Sequence, residues 1–91
     1  MIMFHRATAD FWSAYEKLPK EVRDRADKQF ALLKVDARHP SLHFKEVGIL
    51  RGEQVWSARV SLYYRALAFR RPDGHLWFWI GDHKVYDSVI G

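Results

Sequence analysis

The stretch Gln54–Arg71, "QVWSARVSLYYRALAFRR", decides the fold. Apolar and polar residues alternate on both sides of Ser61-Leu62-Tyr63, and a period of two marks strands rather than helices. A three-residue loop at 61–63 sets Val60 opposite Tyr64 and Arg59 opposite Arg65. One face of the pair then carries Trp56, Ala58, Val60, Tyr64, Ala66 and Ala68, small enough in its middle to receive a helix. The other face carries Ser57, Arg59, Ser61, Arg65, Leu67 and Phe69. The loop contains no Gly, Asn or Asp, and a two-residue loop would put Arg59 opposite Tyr64 instead. In the first register two arginines face each other, which costs stability unless an anion lies between them or a carboxylate, Glu46 or Glu53, covers them.

Downstream, Pro72-Asp73-Gly74 is a turn, and "LWFWI" at 76–80 reads as a strand apolar on both faces, hence interior to the sheet. Gly81 is then expected to turn the chain sharply, with His83 and Tyr86 three apart on one side of a following helical turn. Upstream, Leu42–Val47 alternates as a strand ending at Gly48, with "ILRGE" (49–53) as its connection. Asp36–Pro40 breaks a helical pattern, because the residue before proline leaves helical space. Val22, Ala26, Phe30 and Leu33 mark a helix to about Asp36, and Phe11, Trp12, Tyr15 and Leu18 mark another over 9–18, capped by Thr8 and ended by Pro19. The N-terminal "IMFHR" can add an edge strand. The expected fold is α+β: an N-terminal αα-hairpin packed on one face of a three- to five-stranded, mainly antiparallel sheet.

Ninety-one residues, 48% of them hydrophobic, suffice for one domain with a single modest core. Cysteine is absent, so there is neither a disulfide framework nor a thiolate metal site, and a cytoplasmic, reducing setting is expected. "MIMF" is too short for a signal-peptide core, and no run approaches a membrane span. The formal charge of +4 is uneven: residues 43–71 carry six Lys/Arg against two Asp/Glu, while residues 72–91 carry one against three. A basic middle third suits a polyanion partner.

The titratable residues after the last strand complete a candidate site. His83 can take or give a proton near neutrality, and Tyr86 can donate a hydrogen bond or stack on a base. Beside Arg59 and Arg65 they make a set able to cleave a phosphodiester by internal 2′-hydroxyl attack, with no metal or other cofactor required. The competing reading is that His83 only ends the strand while Tyr86, Val89 and Ile90 close the core. His43 and Lys45 share a face of the first meander strand, where a base or a phosphate-binding lysine has no further support. His5, His39 and His75 receive no functional reading. Metalloprotease, glycine-rich phosphate-loop and nucleophilic-triad motifs are absent.

Across nearly the whole chain, "FWSAYEKLPKEV" (11–22), "RHPSLHFKEVG" (38–48), "WSARVSLYYRALA" (56–68) and "FWIGDHKVYD" (78–87) resemble the RelE/ParE superfamily of bacterial type II toxin–antitoxin toxins. The resemblance implies a β-α-α-β-β-β toxin. In the RelE-like branch such a toxin cleaves messenger RNA on the ribosome; in the ParE-like branch it poisons DNA gyrase, and an inactive remnant of the fold is the third possibility. Carried over by position, Tyr64-Arg65 matches the family's Tyr-Arg, whose arginine stabilises phosphate, and Arg59 matches the frequent arginine of the preceding strand. His83 matches the basic residue after the last strand's glycine, and Tyr86 the tyrosine that orients the substrate base. Lys45, Tyr64 and Lys84 are the expected substrate contacts. The lysine pair of the best-known nucleases is replaced here by Trp56 and Ala58. The resemblance also implies a cognate antitoxin, expected to cover the arginine face beside Leu67 and Phe69, and leaves the oligomeric state open.

Overall fold

The computed structural model describes residues 4–90. Its elements are β1 (Phe4–Ala7), α1 (Ala9–Glu16), α2 (Lys20–Val35), a 3-10 turn (Pro40–Leu42), β2 (Lys45–Leu50), β3 (Glu53–Arg59), β4 (Tyr64–Arg71), β5 (Gly74–Asp82) and α3 (His83–Ile90). Ile2 and Met3 of the expected edge strand lie outside the described residues, as does the side chain of Ile90. The sheet order is β1-β5-β4-β3-β2, with β1 parallel to β5 and every other pair antiparallel. β5 is therefore interior, as its two apolar faces require.

The deciding register is the one with arginines opposed: Arg59 faces Arg65, Ala58 faces Ala66 and Trp56 faces Ala68. What closes a loop that lacks turn residues is the Arg65 guanidinium. Its Nη1 donates to the carbonyls of Ser61 (2.8 Å), Tyr64 (3.0 Å) and Leu62 (3.3 Å). A side-chain cation thus does here what glycine or asparagine does in ordinary hairpins.

The alanine face receives the helices. Ala58, Val60, Ala66, Ala68, Trp77 and Ile80 pack with Leu18, Val22, Leu33 and Leu42 in one buried cluster. Thr8 caps α1, its Oγ1 accepting the Phe11 N–H at 3.1 Å. Between α2 and the sheet, however, Gln29 is buried while Phe30 stays 40% exposed. The Gln29 amide donates to the carbonyls of Arg59 (3.0 Å) and Ser41 (3.3 Å), satisfying two backbone acceptors that a phenylalanine would have left unpaired.

The first meander strand begins later than its alternation suggests. Leu42, expected in a strand, ends the 3-10 turn as a completely buried plug, and His43 passes the chain on with φ of 43° before β2 starts at Lys45. "ILRGE" is correspondingly no loose connection. Gly48–Leu50 continue β2, and Arg51-Gly52, at φ 54° and 81°, form the tight reversal that pairs Leu50 with Glu53. Two consecutive positive φ values match the twist of a two-residue hairpin.

Gly81 does not turn the chain. It lies within β5 opposite Arg65, and a Cβ there would stand 2.7 Å from the Trp79 ring. Its missing side chain makes room for the indole, and the chain bends only after Asp82, whose Oδ1 accepts the Lys84 N–H at 2.8 Å. α3 then touches β5, β4 and β2, so it crosses the face opposite α1 and α2. Among the described residues, no helix is long and apolar enough to cross a membrane.

Candidate functional site

The register places the basic groups on the α3 side of the sheet. Arg59 and Arg65 stand directly opposite on β3 and β4, with Gly81 of β5 opposite Arg65. His43, just before β2, brings Nε2 to 3.5 Å from Arg59 Nη1. One step toward the strand tips, His83 N–H donates to the Tyr63 carbonyl at 2.8 Å, and the two rings lie 6.1 Å apart, edge to face. Tyr86, one helical turn along α3, is near enough to act on the charge of Arg65.

The electrostatics are those of an unfinished anion site. Burial, and then the charge of Arg59, push the Arg65 guanidinium below its ordinary value, while an ionised Tyr86 would oppose that shift. The carboxylates that could have neutralised the pair are engaged or turned elsewhere. Glu53 holds Arg71 through two contacts of 2.9 and 3.2 Å, and Glu46 stands opposite Trp56. Among the described residues, no carboxylate pairs with Arg59 or Arg65. Arg59 and Arg65, both partly buried, start from facing backbone positions on adjacent strands, and guanidiniums so placed can reach a shared phosphate with charge-assisted bonds.

Not every expected contact joins them. Tyr64 points to the helix face and packs against the core. Lys45 sits opposite Ser57, one row from Arg59, with its side chain exposed, and Lys84 is exposed with its backbone held by Asp82. Leu67 is completely buried and so is not the free apolar flank expected for an antitoxin to cover, while Phe69 stays partly exposed and stacks on Phe78 at 4.2 Å. The reason is α3, which lies across this face where the sequence pattern placed open sheet.

Trp56 and Ala58, the two departures from the lysine pair, lie on the helix-covered face. Trp56 packs on Phe44 at 5.0 Å, with the Arg70 guanidinium over its ring at 5.3 Å. Side chains at 56 and 58 are therefore directed away from the arginines, and the cations that matter on the other face come from neighbouring positions.

His39, His5 and His75 hold structure. His39 caps the 3-10 turn, its Nδ1 accepting from Ser41 N at 3.2 Å. His5 stacks on His75 at 5.3 Å and accepts the Trp77 indole N–H at 3.2 Å. Since arginine only donates, the 3.4 Å contact between Arg70 Nη1 and His75 Nε2 puts the His75 proton on Nδ1. That nitrogen is buried and, among the described residues, unpartnered. Burial above all, then Arg70 and His5, lower the His75 pKa to about 4.

The residue that sequence reasoning missed is Gln29, whose polarity hid its buried position. His43, which the sequence offers as a base without further support, comes to Arg59 through one left-handed residue.

No family model matches the chain, and no curated protein matches it by sequence. Solved structures do. The DinJ–YafQ toxin–antitoxin complex of E. coli superposes with a TM-score of 0.72 at 10% identity, covering 93% of this chain and 97% of that one. The archaeal RelE–RelB complex of Pyrococcus horikoshii gives 0.69 at 13% identity over 90% and 96%. The YoeB/ParE toxin of Agrobacterium tumefaciens gives 0.65 at 13% over 89% and 99%. At such identities the likeness is one of fold: over 89 to 93% of its length the chain has the architecture of these toxins.

Proposed function

We propose that this chain is the toxin of a type II toxin–antitoxin pair and that it inhibits translation as a ribosome-dependent messenger-RNA endoribonuclease. The observation that carries the reading is the facing Arg59–Arg65 pair, which among the described residues no carboxylate neutralises, with His83 and Tyr86 beside it. Support also comes from the fold, which is that of toxins crystallised with RelB or DinJ partners.

In this reading the scissile phosphate sits against Arg59 and Arg65. The 2′-oxygen of the preceding ribose attacks phosphorus, giving a 2′,3′-cyclic phosphate, and the P–O5′ bond breaks to leave a 5′-hydroxyl. The arginines stabilise the extra charge of the phosphorane, the term on which such reactions depend most. His83 transfers a proton, and Tyr86 stacks on a neighbouring base. Lys45 and Lys84 add backbone contacts from either side.

The cognate antitoxin neutralises the arginine pair with an acidic, amphipathic segment that folds on binding, and co-expression with it buries Arg59 and Arg65. Induction of the chain alone arrests growth, with messages cut within codons and plasmid supercoiling intact. Loss of supercoiling with whole messages would replace the nuclease by a gyrase poison.

A further inference from the structure

We propose that the helix side of the sheet holds a binding site for a small neutral aromatic compound of one or two rings carrying a hydroxyl or an N–H. The site is a cavity of about 210 Å³ between α1, α2 and the sheet. Ala58, Ala66 and Ile80, all buried, form its floor. Ala58 and Ala66 adjoin Arg59 and Arg65 in the chain, so the cavity lies behind the arginine pair, on the other side of the sheet. The inference does not rest on the nuclease reading.

The walls select rings. Phe11, Trp12 and Tyr15 come from α1, Phe30 from α2 and Trp77 from β5. Trp12 stands edge-on to Phe11 at 5.3 Å and to Tyr15 at 5.4 Å, and Phe30 stands edge-on to His5 at 5.4 Å. Such a lining offers both ring faces and ring edges to a flat guest. Small side chains leave the room, since Ala26 of α2 joins Ala58 and Ala66 around the cavity and leucines there would close it. An apolar cavity of about 150 Å³ takes up benzene, so this one has space for phenol or indole. One turn of a partner's helix, about 10 Å across and about 5.4 Å long, occupies roughly twice the volume and would have to part α1 from α2.

Polar groups in the lining set what the guest carries. Gln29 Nε2 donates to the Arg59 and Ser41 carbonyls, which uses both its hydrogens and leaves Oε1 as an acceptor. The Trp77 indole N–H donates to His5 Nδ1, which puts the His5 proton on Nε2, a donor without a partner among the described residues. Residues with one spare acceptor and one spare donor thus line an otherwise apolar cavity, the pattern of a small-molecule site. A hydroxyl can serve both, and an indole N–H the first. The formal charges of the lining are exposed and engaged: Asp27 accepts the Tyr15 hydroxyl at 2.7 Å, and Arg6 pairs with Asp73 at 3.6 Å. Burial, and then Lys34, lower the His5 pKa, so its imidazole adds no charge above neutrality. An ionised guest would lose its water without gaining a counter-ion.

The test titrates the purified full-length protein with indole, phenol and benzoate at pH 7.5. Indole and phenol are expected to give saturable shifts of the Trp77 indole N–H resonance and nuclear Overhauser contacts to the Ala26 and Ala66 methyl groups. At ten times its Kd either should raise the melting temperature by roughly 5–10 °C. Benzoate should bind at least 10-fold more weakly than phenol. Ala26→Leu, which fills the cavity, and Phe30→Ala, which removes an exposed wall, should each weaken indole at least 10-fold, while Arg59→Ala/Arg65→Ala binds it as the parent does. Melts without ligand verify that the variants fold. The absence of saturable shifts with both indole and phenol, or parent-like affinity in both cavity variants, overturns the site. Loss of indole binding in the double arginine variant moves the ligand to the other face and overturns it too. Benzoate binding as tightly as phenol overturns the neutral class.

Discussion

The two faces of one sheet follow opposite rules. Toward α1 and α2, Ala58, Val60, Ala66, Ala68, Trp77 and Ile80 form an apolar layer packed with residues of the helices. Toward α3, the same strands present Arg59 and Arg65 above a buried floor of Ser57, Leu67 and Val55. Alternation along β3 and β4 writes both faces at once, since successive residues point to opposite sides. The helix face stores the stability that the arginine face spends by setting like charges together. Substitutions on the two should therefore fail in different assays.

The largest expected effect is on the arginine face. Arg59→Ala combined with Arg65→Ala abolishes growth arrest and lowers cleavage by more than about 10³-fold, since each removes charge stabilisation at the phosphorane. Arg65→Ala alone also loosens the 61–64 loop, so amide exchange there rises while the core stays protected. On the helix face the pattern reverses. Leu42→Ala leaves a cavity under the turn and costs about 2–5 kcal/mol by chemical denaturation.

A third effect separates the faces by pH. His75 is buried with its pKa lowered from 6.5 to about 4, so the folded protein resists a proton that the unfolded chain accepts. Above pH 6.5 both states are neutral at this residue and it contributes nothing. Stability falls as pH drops from 6.5 toward 4 and levels off below, by up to about 3 kcal/mol in all. A titration of melting temperature checks this, and His75→Phe should flatten the descent in that window. The smallest effect belongs to the exposed Arg71–Glu53 pair, where Glu53→Gln should move neither the melting temperature nor the cleavage rate measurably.

How far the sequence reveals this division depends on which physical rule each element obeys. The alanine face follows from alternation, which is local and strict, and the interior β5 from a run apolar on both faces, whereas the facing arginines needed a three-residue loop that alternation does not select. Gly81 misled because its side chain is absent for the sake of Trp79, a packing reason that looks identical to a turn signal. The reach of β2 was misplaced because Leu42 is apolar for a plug and not for a strand, and Arg51-Gly52 carries the hairpin without asparagine or aspartate. The burial of Gln29 and the approach of His43 to Arg59 were illegible for a common reason: the partners, the Arg59 carbonyl and the Arg59 guanidinium, are 30 and 16 residues away in the chain.

The central claim is that the arginine face cuts messages while the helix face only supports it. Its most direct measurement is primer-extension mapping of 5′ ends after brief induction of the parent chain and of Arg59→Ala/Arg65→Ala at matched protein levels. Discrete new 5′ ends inside translated messages with the parent, and none with the variant, are the predicted result. Equal cleavage by both proteins, or growth arrest by the parent with every message whole, would contradict it.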